Sequence, residues 1–249
     1  MTSPIVTRFS KLLLFTGTAL VAACASPNSH RTSVLSQIEV GERMLGYGDY
    51  DRGYALLERI AEHNPRSSMT ALGLGDAYFR QKAYLKASAQ YQKAVKLGAR
   101  IEGLLGLARV ELARNNPEGA AAYLREVLAR DPDNVDAINA MGVVHDLRGE
   151  HAAAQQYYQS VLAYAPANKE ALNNFSLSLA LSGQATQAYP YIAELSRSNQ
   201  NDPAVRHNPA LIQYLAGYQE QALRTALLDL TEDEARANFA QLSGMESAQ

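Results

Sequence analysis

Six residues of this 249-residue chain carry a thiol or an imidazole, side chains that commonly ligate metals or act as bases or nucleophiles near neutral pH: Cys24, His30, His63, His145, His151 and His207. No two of them stand at a metal-ligand spacing. His145 and His151 flank Gly149, so a helix face carrying both is interrupted. Gly73-x-Gly75 and Gly46-x-Gly48 lack the remainder of a phosphate-cradling loop. No serine occupies a Gly-x-Ser-x-Gly elbow. A single cysteine excludes a disulfide within the chain. The reading is a protein without metal, cofactor or catalytic residues. An envelope carrier or enzyme, the competing class, would need a pocket with convergent titratable groups.

Composition narrows the class further. Hydrophobic residues make up 47% and charged residues 19%, enough to bury a core. Net charge is −2. Such a chain, with no stripe of lysine and arginine, is a poor ligand for nucleic acid or anionic lipid by charge alone. Fourteen tyrosines and no tryptophan supply most of the aromatic surface.

The position of Cys24 explains its solitude. Arg8 and Lys11 precede an apolar stretch, Leu12 to Ala22, and Ala22 and Ala23 are small residues of the kind a signal peptidase accepts. The stretch is too short and too interrupted, by Thr16, Gly17 and Thr18, for a permanent membrane span. Residues 1–23 therefore read as a signal peptide. Val21-Ala22-Ala23-Cys24 resembles a bacterial lipobox, which implies cleavage before Cys24 and acylation of its sulfur and new amino group. Each buried CH₂ adds about 0.8 kcal/mol of membrane affinity, so several chains make a lasting anchor. Ala23-Cys24-Ala25 also fits ordinary secretory cleavage after Ala25, which would discard the cysteine. Ala25 is not aspartate, which by the rule of lipoprotein sorting implies the outer membrane, on its periplasmic face. Residues 24–33 read as a flexible tether.

Downstream the chain repeats itself every 34 residues. One column of small residues reads Gly53, Ala87, Ala120, Ala154, Ala188, Ala222, and another reads Gly41, Gly75, Ala108, Gly142, Ser176, Ala210. Large apolar residues form a third, Val40, Leu74, Leu107, Met141, Phe175, broken by Pro209. A fourth is Leu57, Tyr91, Leu124, Tyr158, Ile192. Within a unit, Met141, Val144 and His145 share a helical face, Gly149 breaks the helix, and Ala154, Tyr158 and Val161 make the facing stripe. Each unit is thus a hairpin of two helices that buries its apolar face only by stacking. Pro190 is expected to kink a second helix, and Asn208-Pro209 to cap and open a shortened one. Thr231 and Glu234 have capping-box spacing, which predicts a last helix from Glu232 to about Leu242.

Leu74-Gly75-x-x-Tyr78, Ala87, Tyr91, Ala94 and Met141-Gly142, Ala154, Tyr158, Pro166 resemble the tetratricopeptide repeat. The resemblance covers five units, beginning near Val34, Ser68, Ile101, Val135 and Lys169, and a degenerate sixth near Pro203. It implies an all-α right-handed superhelix over 34–245, of five to six hairpins plus a C-terminal helix, with a concave face lined by the first helices. On that face the polar residues Asp76, Arg109, Asn139, Asn173, Asn174, His207 and Asn208 are candidates for binding a protein segment. Asparagine amides both donate and accept, which suits a peptide backbone. The C-terminal runs ALNNFSLSLALSGQATQA, DPAVRHNPALIQYLAGYQEQA and DLTEDEARANFAQL resemble the lipoproteins of tight-adherence (Flp) pilus systems, the TadD family. Pro209 departs from the leucine expected there. That likeness implies an outer-membrane protein that assists a pilus secretin through protein contacts, with no cofactor. A type IVa pilus or the cell-wall synthesis machinery are alternative clients of the same scaffold.

Overall fold

A computed structural model describes residues 29–198 and 203–246, with side chains described for 34–193 and 208–240. The expected signal peptide, Cys24, and the tether up to residue 28 lie outside the described residues. The rest of the expected tether is helical from Ser29 onward.

The chain divides into two compact units that meet in sequence at Asn134 and Val135. The first holds α1 (Ser29–Gly46), α2 (Tyr50–His63), α3 (Ser68–Arg80), α4 (Tyr84–Lys96), α5 (Arg100–Ala113) and α6 (Pro117–Leu128). The second holds α7 (Val135–Leu147), α8 (His151–Tyr164), α9 (Lys169–Leu181), α10 (Ala185–Ser198), α11 (Pro203–Leu215), α12 (Gln219–Ala226) and α13 (Glu232–Glu246). Among the described residues there is no strand, and consecutive helices pair as antiparallel hairpins. The fold is an all-helical repeat array, as the 34-residue period predicts.

The hairpins close because bulky residues meet missing side chains. A Cβ built on Gly142 would lie 2.4 Å from the Tyr158 ring, and one on Gly75 would lie 2.6 Å from the Tyr91 ring. Both rings are buried to within 1% of full exclusion from solvent. The alanine column Ala87, Ala120, Ala154, Ala188, Ala222 is wholly buried, as is the column from Leu57 to Ile192. Val40 is the exception in its column, 37% exposed where Leu74, Leu107, Met141 and Phe175 are buried.

Every hairpin turns through one left-handed residue, and the positions keep the repeat: Gly48, Lys82, Asn115, Gly149, Gly183 and Gly217. At Gly149 the next amide, Glu150 N–H, donates to His145 C=O at 2.9 Å, closing a Schellman motif. Lys82 makes the same turn at φ 58°, where a side chain is disfavoured. N-caps start several helices: Ser67, Asn116 and Asn168 each accept from the amide three residues on. At Thr231 the cap is reciprocal, with Thr231 N–H donating to Glu234 at 2.9 Å and Glu234 N–H to the Thr231 hydroxyl. The Thr231 amide and hydroxyl, both donating to it, hold the Glu234 carboxyl below its usual value.

Two proline expectations meet the structure differently. α10 continues through Pro190, whose exposed position lets the freed carbonyl reach water while Ala188 and Ile192 on the inner side stay fully buried. Asn208-Pro209 does not open a shortened helix. α11 begins at Pro203, a favoured first-turn residue, and carries Pro209 in its interior. Asn208 is spent on a side-chain bond to the neighbouring helix instead of a cap. The last helix runs from Glu232 to Glu246, longer than expected, and its Ala235 is fully buried beside Ala210 and Ala226.

Two substitutions test this account. Gly142→Ala should lower thermal stability, because overpacking costs about 1–3 kcal/mol and alanine's helix propensity returns at most about 1 kcal/mol. Lys82→Gly should raise stability by about 1 kcal/mol by relieving the left-handed turn at an exposed site. Denaturant unfolding of both variants measures the two signs.

Candidate functional site

The residues nominated from sequence fall into two hydrogen-bonded groups, one in each unit. In the first unit Asp76 on α3 and Arg109 on α5 stand one repeat apart. Asp76 Oδ1 accepts from the Tyr91 hydroxyl at 2.7 Å and from the Arg109 guanidinium at 2.9 Å. Arg109 also donates to the Tyr91 oxygen at 3.1 Å and lies 4.7 Å from the Phe79 ring centre. Tyr91 is buried, and that burial pushes its phenol far above the usual tyrosine value. The Asp76 and Arg109 side chains remain half-exposed, so their ion pair stabilises little, and its polar surface is open to a partner. A second pair, Arg80 with Glu42, ties α3 to α1; burial nevertheless raises the Glu42 carboxyl.

In the second unit the asparagines bond to one another. Asn174 Nδ2 donates to Asn139 Oδ1 at 3.3 Å, Asn173 Nδ2 to Asn174 Oδ1 at 3.3 Å, and Asn208 Nδ2 to Asn173 Oδ1 at 2.8 Å. The chain crosses α7, α9 and α11. Asn139, Asn174 and Asn208 are buried and only Asn173 is half-exposed. Asn208 Oδ1 ends the chain with no partner among the described residues. The side chain of His207 lies outside the described residues.

A third cluster was not nominated. Asp146, on α7, accepts from Tyr158 at 2.8 Å, from the Ser178 hydroxyl at 2.7 Å and from His151 Nδ1 at 2.8 Å. Serine, histidine and aspartate are the residue types of a catalytic triad, but the connectivity differs. The Ser178 hydroxyl donates to the carboxylate rather than to imidazole, and it is fully buried. The arrangement therefore clasps α7, α8 and α9 together and activates no nucleophile. Burial, then the charge of Asp146, pushes the Tyr158 phenol well above its usual value. His145 stacks on Tyr157, with centroids 5.1 Å apart, and its Nδ1 lies 2.6 Å from Glu150. Among the described residues no group of three histidines, cysteines or carboxylates is placed to hold a metal, and no helix is long and apolar enough to cross a membrane. Sequence reasoning missed Asp146 because its column gives it no company; only the repeat position of Tyr158 opposite α7 could have drawn attention to it.

Paired helices and small-against-large columns define a helical-hairpin scaffold for binding other proteins. Residues 45–100 and 105–169 match the tetratricopeptide repeat family model, and the chain is a tetratricopeptide-repeat protein. No match was found among curated protein sequences. Among solved structures, the chain is similar to PilW, described as a widely conserved type IV pilus biogenesis factor. The TM-score is 0.61 at 19% identity, over 79% of this chain and 91% of that one. It is similar to PilF of Pseudomonas aeruginosa, with TM-score 0.60 and 14% identity over 87% of this chain and 99% of that one. A tetratricopeptide protein of Thermus thermophilus, TTC0263, gives TM-score 0.59 at 18% identity, over 72% of this chain and 98% of that one. At these identities the likeness is one of fold.

The buried phenols make an alkaline test. Their folded values lie above the unfolded value near 10, so the unfolded chain ionises first. Stability from Tyr91 and Tyr158 is therefore fully present below that value and should fall as pH rises beyond it. In a spectrophotometric titration, Tyr91→Phe and Tyr158→Phe should each remove one late-ionising phenol, whose ionisation coincides with loss of helix in circular dichroism.

Proposed function

We propose that this protein is a lipid-anchored assembly factor on the periplasmic face of a bacterial outer membrane, serving a Flp (tight-adherence) pilus in the manner of the TadD family. It acts by binding proteins and catalyses no reaction. Its client is a pilus secretin or another component of the same apparatus, held near the membrane through acylated Cys24. The observation that carries the reading is the repeat array itself, whose fold resembles PilW, a type IV pilus biogenesis factor, over most of both chains. The lipobox-like Val21-Ala22-Ala23-Cys24 and the C-terminal likeness to tight-adherence lipoproteins add the anchor and the pilus type.

The description of PilW as a type IV pilus biogenesis factor also favours a second reading, in which the same scaffold serves a type IVa pilus. Which pilus disappears on deletion separates the two. Under the first reading, a deletion strain loses Flp pili and surface adherence, and its secretin fails to form multimers. Cys24→Ser leaves the protein out of the outer-membrane fraction and mislocalises the secretin. Normal pili and secretin multimers in the deletion strain would overturn the proposal.

A further inference from the structure

The exposed side of α1 carries residues whose counterparts in later repeats are closed off from water. In the column of Glu39, Gly106 lies against Tyr91 of the preceding hairpin. The column of Arg43 reads Ala77, Val110, Val144 and Ser178 further on, each wholly buried, and the Ser178 hydroxyl donates to Asp146 of the preceding hairpin at 2.7 Å. This is the end face of a hairpin, the one that stacks on its predecessor. The inner face is a separate one, where Glu42, in the column of Asp76 and Arg109, pairs with Arg80. On α1 the end face presents Ser36, Glu39, Val40, Arg43 and Tyr47 in one stripe, all exposed, Tyr47 by 90%. Glu39 and Arg43 have no ion-pair partner among the described residues. A terminal repeat that only caps its array presents a polar face. This one adds a valine and a tyrosine.

We infer that the end face of α1 is the contact through which two copies of this chain pair about a two-fold axis, their α1 helices antiparallel. The stripe is its own complement. Glu39 of each copy meets Arg43 of the other. Tyr47 of each lies over Ser36 of the other, large against small as within the hairpins. The two Val40 side chains sit between. In a two-fold contact each pair of facing residues has its midpoint at the axis. The midpoint of 39 and 43 is 41, and that of 36 and 47 is 41.5. Half a residue is about 0.75 Å along a helix, so one axis serves both pairings.

Charge selects a second copy over the chain's own preceding residues. Residues 1–28 contain Arg8 and Lys11 and no acid, so they can answer Glu39 but not Arg43. A copy brings both signs in reciprocal positions and leaves neither charge alone. Exposed ion pairs are individually weak, so Glu39 and Arg43 set partner and register while Val40 and Tyr47 supply the apolar contact. The axis runs perpendicular to both helices, which places the two chain starts at one level along it. Two acyl anchors at Cys24, where present as proposed above, can then enter one membrane.

The test uses the chain purified after export with Cys24→Ser, so that no lipid gathers copies, read by sedimentation equilibrium. The protein should form dimers in the micromolar range. Glu39→Arg alone and Arg43→Glu alone should each weaken self-association at least about tenfold, because each sets like charges across the axis. Mixed in equal amounts, these two single variants should associate with each other as tightly as the unaltered chain does with itself, since each brings the charge that the other lacks. The double variant, with both reversals, should recover dimers as well. Val40→Asp should abolish them. All are exposed positions, and circular dichroism should show unchanged helix. A protein that stays monomeric at its highest soluble concentration would overturn the inference and leave the face to the preceding residues or to another protein. Dimers indifferent to both reversals, or a mixture of the two single variants that fails to associate, would overturn it too. None of these results depends on the pilus phenotype of a deletion strain, so the pairing and the proposed function fail separately.

Discussion

A tyrosine ring closed over a glycine sets the distance between helices in both units, and the other features follow from that distance. Tyr158 occupies the space that a Cβ on Gly142 would need, and Tyr91 occupies the space beside both Gly75 and Gly106. Tyr91 thus joins its own hairpin partner α3 to the first helix of the next repeat, α5. One side chain contributes to the hairpin and to the stacking of hairpins at once. Where tyrosine gives way to Leu57, Leu124 or Ile192, the same column remains fully buried, so the constraint is on bulk. The aromatic version adds a hydroxyl at the far end of the ring, and that hydroxyl must find a partner.

The two tyrosines solve this differently, and the solutions diversify the units. Tyr91 reaches Asp76, one residue after Gly75, at a half-exposed place that also admits Arg109. Tyr158 reaches Asp146, four residues after the equivalent Gly142 and one helical turn deeper in the repeat. There the carboxylate is closed off and collects Ser178 and His151 as further donors. Both aspartates lie within reach of the same phenol because residues three apart share a helix face. A shift of one turn changes an open charged pair into a buried clasp without altering the hairpin.

The columns of the repeat were legible in sequence because each is a volume repeated at a fixed interval, and volume is written in residue type. The same reading failed at Val40, which is 37% exposed although its residue type fits the column. It also failed at Lys82 and Asn115, which adopt the left-handed turn that glycine marks at Gly149. Only the interval, 34 or 33 residues from the neighbouring turns, points to them. Pro209 read as a helix start by local rules, yet the packing of Asn208 and Ala210 holds the helix through it. Of the nominated polar residues, the charged and amide groups stand together as two clusters. What sequence did not reveal is that the amides bond to one another, because that depends on side-chain direction across helices and not on spacing along one.

The amide chain is best understood through what apolar residues could not do in its place. Leucines at Asn139, Asn174 and Asn208 would pack without direction, and neighbouring first helices could slide by a turn at little cost. The asparagine bonds link residues 35 apart, one repeat and one further residue, so they run obliquely from α7 to α9 and from α9 to α11. Such bonds form in one register only. The arrangement is polar throughout, each Nδ2 donating towards the preceding amide, and it must end somewhere; it ends at Asn208 Oδ1, buried and unpaired. An unsatisfied buried acceptor costs about 1–3 kcal/mol, comparable to the net value of two ordinary hydrogen bonds. The chain therefore adds little stability in sum. Its return is geometric, a fixed alignment of α7, α9 and α11.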